Sequence, residues 1–152
     1  MKSFVLAIVA MVFAIQVQSQ TDTRIKHFNV EKGLAIQGYD PVAYFLQNKA
    51  IKGNMQFAAT VEGIIYHFSN AANKNLFVKD PKKYEPQYGG WCAYAMGANN
   101  EKVAIDPETF KIVSGKLYLF YHSWVNNTLT KWNKDEATLK PKADANWATK
   151  FK

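Results

Sequence analysis

The chain has 152 residues, a formal net charge of +7 and one cysteine. A single cysteine excludes an internal disulfide framework and any multi-thiolate metal centre built by this chain alone. Hydrophobic residues at 48% and charged residues at 20% are values of a folded domain rather than a disordered chain, and the length suits one domain.

Lys2 precedes the apolar run 4–15, and Gln16-Val17-Gln18-Ser19-Gln20 follows it. A basic start, a short apolar stretch and a small residue near its end describe a secretory signal peptide, with cleavage expected after Ser19 or Gln20. The run is short of the roughly 20 residues that a spanning helix needs. The expected organisation is a signal peptide over 1–20 and one domain over 21–152, exported to the periplasm or the extracellular space, with no membrane span after cleavage. Removing Lys2 leaves 18 basic against 12 acidic residues, or +6. The lysines are scattered, as in Lys74, Lys79, Lys82, Lys83, Lys131, Lys134, Lys140 and Lys142. That distribution reads as a solvated surface, and no nucleic-acid partner is expected. No internal repeat or low-complexity segment is visible.

In chain order, Gly38-Tyr39-Asp40-Pro41 is a turn in which Asp40 caps a short helix from Pro41. Segments 57–61 and 64–68 read as a hairpin joined at Glu62-Gly63. Ser69 or Asn70 caps a helix to about Lys79, with Ala72, Leu76 and either Val78 or Phe77 as its apolar stripe. Segment 84–90 is an aromatic, turn-rich loop, and 91–96 is a short helix stopped by Gly97. Segments 103–105, 110–113 and 116–121 read as strands. Tyr121, Val125, Leu129 and Trp132 recur at helical spacing, and a last helix covers 143–147. Hairpins with segregated helices indicate a small single α+β domain, with helices packed on antiparallel hairpins.

Five blocks share one direction: Gly38-Tyr39-Asp40-Pro41-Val42-Ala43-Tyr44-Phe45, residues 62–69, residues 77–84, residues 86–95 ending in Trp91-Cys92-Ala93-Tyr94-Ala95, and Gly115-Lys116-Leu117-Tyr118-Leu119 with Ala143-Asp144-Ala145-Asn146-Trp147. In this order they resemble the YHS domain family, specifically its exported stand-alone members, over nearly all of 33–150. The resemblance implies a small module of the kind that binds copper or zinc-type ions through cysteines. The positions it assigns to those thiolates hold Ala43, Ser69 and Asn73 here. Soft thiolates select Cu(I) or Zn, so the implied metal chemistry lacks its ligands.

Cys92 follows Gly89-Gly90 and opens the short helix, which is expected to place its sulfur in the first helical turn. There the helix dipole lowers a thiol pKa. Met96 lies four residues on, on the same face, and a thiolate with a thioether suits Cu(I). His67 and His122 are candidate imidazole ligands, which makes a copper or other transition-metal ion at Cys92, Met96, His67 and His122 the candidate site. A buried, inert cysteine is the alternative. Tyr39, Asp40, Tyr66, Tyr84, Tyr88, Trp91 and Tyr94 form an aromatic set that suits either a small-ligand pocket or a core and its rim. No nucleophile elbow, phosphate loop or His-Glu-x-x-His occurs. The expected function is a non-catalytic accessory module that binds a metal ion or small ligand near Cys92. The alternatives are a protein-interaction module without metal and, less favoured, a thiol-dependent enzyme.

Overall fold

A computed structural model describes residues 21–150, so the expected signal peptide lies outside the described residues. Residues 21–27 are helical (α1). There follow β1 (Val30–Glu31), β2 (Leu34–Ala35), α2 (Pro41–Gln47), β3 (Asn54–Val61), β4 (Ile64–Phe68), α3 (Ala71–Lys79), α4 (Pro81–Tyr84) and α5 (Ala93–Asn99). The rest comprises β5 (Asp106–Val113), β6 (Lys116–Phe120), β7 (His122–Ser123), β8 (Asn126–Asn127), α6 (Thr128–Lys134) and α7 (Glu136–Lys150). Strands order as β1-β2-β4-β3 in one sheet, with β5-β6 and β7-β8 as separate pairs; all pairs are antiparallel except β2-β4. The expected α+β class is therefore seen.

The chain repeats itself, which the sequence reading missed. Residues 36–38 and 88–90 are left-handed turns, with φ of 51, 52 and 80° and of 56, 59 and 82°. An aromatic residue follows each, Tyr39 or Trp91, and then a buried N-cap, Asp40 or Cys92. Each cap opens a seven-residue helix, α2 or α5, that ends on a left-handed asparagine, Asn48 or Asn100. Asp40 N donates to Ile51 O, and Cys92 N donates to Val103 O. Hairpin β3-β4 runs 54–61 and 64–68, and β5-β6 runs 106–113 and 116–120. Both turn at a left-handed X-Gly pair, Glu62-Gly63 or Ser114-Gly115, as tight hairpins require. Both break register after their first pair, Asn54↔Phe68 or Asp106↔Phe120. Every one of these features recurs 52 residues on.

Beyond the hairpins the spacing becomes 55, pairing Asn73 with Thr128, Phe77 with Trp132 and Tyr84 with Leu139, all buried. The second half spends residues 122–127 between Tyr121 and Thr128, where the first spends 70–72 between Ser69 and Asn73. The extra length is the β7-β8 hairpin. The halves interlock: Tyr44 Oη donates to Pro107 O, the Tyr44 ring meets Phe110 edge-on, and Gln37 Nε2 donates to Ile105 O.

Several elements differ from expectation. Segment 103–105 is not a strand. Helix α3 buries Phe77, one of the two alternatives expected, together with Asn73, while Ala72, Leu76 and Val78 are exposed. Helix α5 runs through Gly97, whose missing side chain lets α7 approach; a Cβ there would lie 2.5 Å from Leu139 O. Val125 is on the β7-β8 tip rather than in a helix, and α7 extends well beyond 143–147 with Pro141 inside it.

Candidate functional site

Asp40 has no exposed surface, and its carboxylate is saturated by five donors. Oδ1 accepts from Val42 N at 2.9 Å and Ala43 N at 3.3 Å, the N-cap bonds of α2. Oδ2 accepts from Ser69 N at 2.8 Å, Ser69 Oγ at 2.6 Å and Asn73 Nδ2 at 2.7 Å. Sequence reasoning took Asp40 for a cap and missed its reach across to β4 and α3. The three positions that the YHS resemblance assigns to thiolates, Ala43, Ser69 and Asn73, are thus brought together. They meet as hydrogen-bond donors around an anion, not as ligands around a cation. With both carboxylate oxygens taken by donors and no thiolate present, the cluster does not fit a soft metal ion.

Cys92 is the counterpart of Asp40 in the second half. It sits at the N-cap of α5, one residue before the first turn, and it too is fully buried. Its Sγ accepts from Tyr121 N at 3.3 Å, as Asp40 accepts from Ser69 N. Thr128 Oγ1 lies 3.4 Å from the sulfur, in the place of the Asn73 amide. The Thr128 hydroxyl proton is committed to Tyr121 O at 2.7 Å, so the thiol is the donor to Thr128. This contact ties α5 to the start of α6.

The other candidate ligands are elsewhere. Met96 is one turn along α5 but in a separate core cluster with Tyr118, Phe120 and Trp132. His122, on β7, turns its Nδ1 to Asp106 Oδ2 at 3.3 Å. His67 is half-buried on β4, beside the backbone of Gly38 and Gly53. Among the described residues no three His, Cys, Asp or Glu side chains form a metal-binding group.

The aromatic set is divided between core and rim. Tyr66, Tyr84 and Tyr88 are buried, and their neighbours are rings: Tyr66 packs on Phe77, Phe45 on Tyr84, and Tyr88 on Tyr118. Tyr39 and Trp91 lie at matching places under lysines, Lys52 at 4.6 Å and Lys102 at 5.7 Å from the ring centroids. A cleft with aromatic walls lies beneath α1, lined by Arg24, Phe28, Lys82, Glu85, Tyr88 and Trp147. Arg24 is engaged there by Glu85 and Glu62, and Tyr66 Oη donates to Glu85 at 2.8 Å.

Asp106 and Glu136 are the perturbed carboxylates. Partial burial opposes ionisation of Asp106, but the Thr109 hydroxyl, the Glu108 N–H and His122 hold it below the usual carboxylate range. The Lys111 ammonium holds Glu136 low against a smaller cost of burial. Both are surface ties. No family model, no curated protein and no solved structure matches this chain.

Proposed function

We propose that this chain is an exported, non-catalytic binding module with a YHS-like layout and no metal centre. The observation that carries the reading is the Asp40 cluster. Where the resemblance implies three thiolates, a saturated carboxylate binds Ser69, Asn73 and the α2 N-terminus. Cys92 supports it, being sealed in the core against Thr128 and the Tyr121 backbone. Catalysis by this thiol would need an entry path and a base, and the groups about the sulfur are a backbone N–H and a hydroxyl that is already committed.

Elemental analysis of the purified protein, after incubation with Cu(I) under reducing conditions and gel filtration, tests the reading. The expected result is less than about one-tenth of an equivalent of copper or zinc retained, unchanged in Cys92→Ala. Stoichiometric copper that is lost in Cys92→Ala would restore the metal reading and overturn this one.

A further inference from the structure

The β7-β8 hairpin is the structural surplus of the second half. The first half passes from its β-hairpin to its helix through residues 70–72, and the second inserts a turn that carries Trp124 and Val125. These two residues are 101% and 89% exposed, the most exposed large apolar side chains described. Nothing in the local fold needs them there. Asn127 caps α6 through Leu129 N and Thr130 N, just as Asn70 caps α3 through Asn73 N, and neither cap uses the tip.

The stretch of chain that carries the tip has charges of one sign. Between Glu108 and Asp135 the chain carries Lys111, Lys116, Lys131 and Lys134 and no carboxylate. Helix α6 begins directly after the hairpin, so exposed Lys131 and Lys134 fall within about 10 Å of its start along the axis. That distance is comparable to a Debye length at ordinary salt. Of the carboxylates on either side, Asp106 at the hairpin base is engaged by Thr109, Glu108 N and His122, and Glu136 by Lys111, while Glu108 and Asp135 are exposed. Trp is the side chain favoured at the boundary between water and lipid, where its ring meets the acyl region and its N–H meets headgroups. Lysines beside such an anchor add attraction to anionic lipid.

We infer that the β7-β8 tip is a peripheral docking device for an anionic lipid surface, with Trp124 and Val125 as the inserted wedge and Lys131 and Lys134 as the electrostatic contact. The inference rests on the hairpin and its flanking charge. Copper retention at Cys92 would overturn the metal-free reading and leave this one standing.

The test is cosedimentation of the purified full chain with vesicles of mixed phosphatidylglycerol and phosphatidylcholine, and with vesicles of phosphatidylcholine alone. Trp124→Ala and the pair Lys131→Glu with Lys134→Glu are run alongside, so that any contribution of the apolar N-terminal run is common to all. The wild type is expected to bind the anionic vesicles, with a blue shift of tryptophan emission and release at high salt. Trp124→Ala is expected to lose at least about tenfold in partitioning, because burying one large apolar side chain is worth that much. The double lysine variant is expected to lose preference for the anionic vesicles. Because Trp124 makes no core contact, its variant should keep the thermal midpoint of the wild type. Equal binding of wild type and Trp124→Ala, equal binding to both vesicle types, or no binding of the wild type would each overturn the proposal. A tip that instead serves a protein partner would give the last of these results.

Discussion

Asp40 and Cys92 do the same work with different chemistry. Each accepts a backbone N–H from the residue after the second strand of its hairpin, Ser69 or Tyr121, and so fixes the start of a helix to the end of a sheet. The carboxylate gathers three donors on Oδ2, so Asp40→Asn should be far from conservative. In either amide orientation an NH2 group would face donors, Val42 N and Ala43 N or Ser69 and Asn73. A loss of about 2–4 kcal/mol in urea unfolding is expected, from a buried donor cluster left without its acceptor. Cys92→Ala removes one weaker acceptor and should cost about 1–3 kcal/mol, with Cys92→Ser recovering part of it through a hydroxyl that accepts from Tyr121 N. This equivalence was hard to read from the sequence. An aspartate and a cysteine share no side-chain character, and their common partner is a main-chain N–H that any residue but proline supplies. The identities that do persist, such as Gly38 and Gly90, Asn48 and Asn100, Gly63 and Gly115, and Tyr66 and Tyr118, are spread thinly over turns and core positions.

At the scale of elements, the α3 error has one cause. The apolar pattern suggested a stripe through Ala72 and Leu76, but Asn73 is drawn inward by Asp40 and brings Phe77 with it, one turn on. The helix is therefore rotated by about one residue, roughly 100°, from the expected face. A polar residue set the rotation, which hydrophobic periodicity cannot register. The helical spacing of Tyr121, Val125, Leu129 and Trp132 misled in the same way, because only the last two lie on α6. The last helix, expected over 143–147, instead runs from Glu136 to Lys150 and continues through Pro141 at the loss of one backbone bond. By contrast the Asp40-Pro41 cap, the Glu62-Gly63 turn and the Asn70 cap were legible, since each depends on local chemistry. The repeat also defines a clean deletion. Replacing residues 122–127 with an Asn-Ala-Ala stretch copied from residues 70–72 should give a folded protein, because the first half already makes that connection. Its thermal midpoint is expected to stay within about 5 °C of the wild type, corresponding to about 1 kcal/mol for a domain of this size. Collapse of the fold would show that the hairpin braces α6 rather than decorating it.

For the whole molecule, titration of buried groups gives a direction to its pH response. Burial pushes the Tyr44, Tyr66 and Tyr88 phenols up, and hydrogen bonds to Glu85 and Asp144 add to this for Tyr66 and Tyr88. A group raised in the folded state contributes stability that is complete below its unfolded pKa, near 10, and is lost as pH rises above it. Asp106 and Glu136 act oppositely. Being held low, they contribute above the ordinary carboxylate range, and that contribution is lost as pH falls through their folded values. Stability should therefore be flat through neutrality and fall at both ends. Absorbance at 295 nm should show these phenols ionising only with global unfolding at alkaline pH. If all eight tyrosines instead titrate near pH 10 while circular dichroism stays native, the packed rings do not hold the fold as described.

The sealed sulfur has a further consequence in an oxidising medium. Disulfide exchange needs a sulfur that an oxidant can touch, and Cys92 offers no access while α5, α6 and the β6-β7 junction hold together. Two copies of this chain cannot cross-link in their folded state. Any mixed disulfide formed at this position would record an opening event, and its rate would time the separation of the second half's helices from their strand.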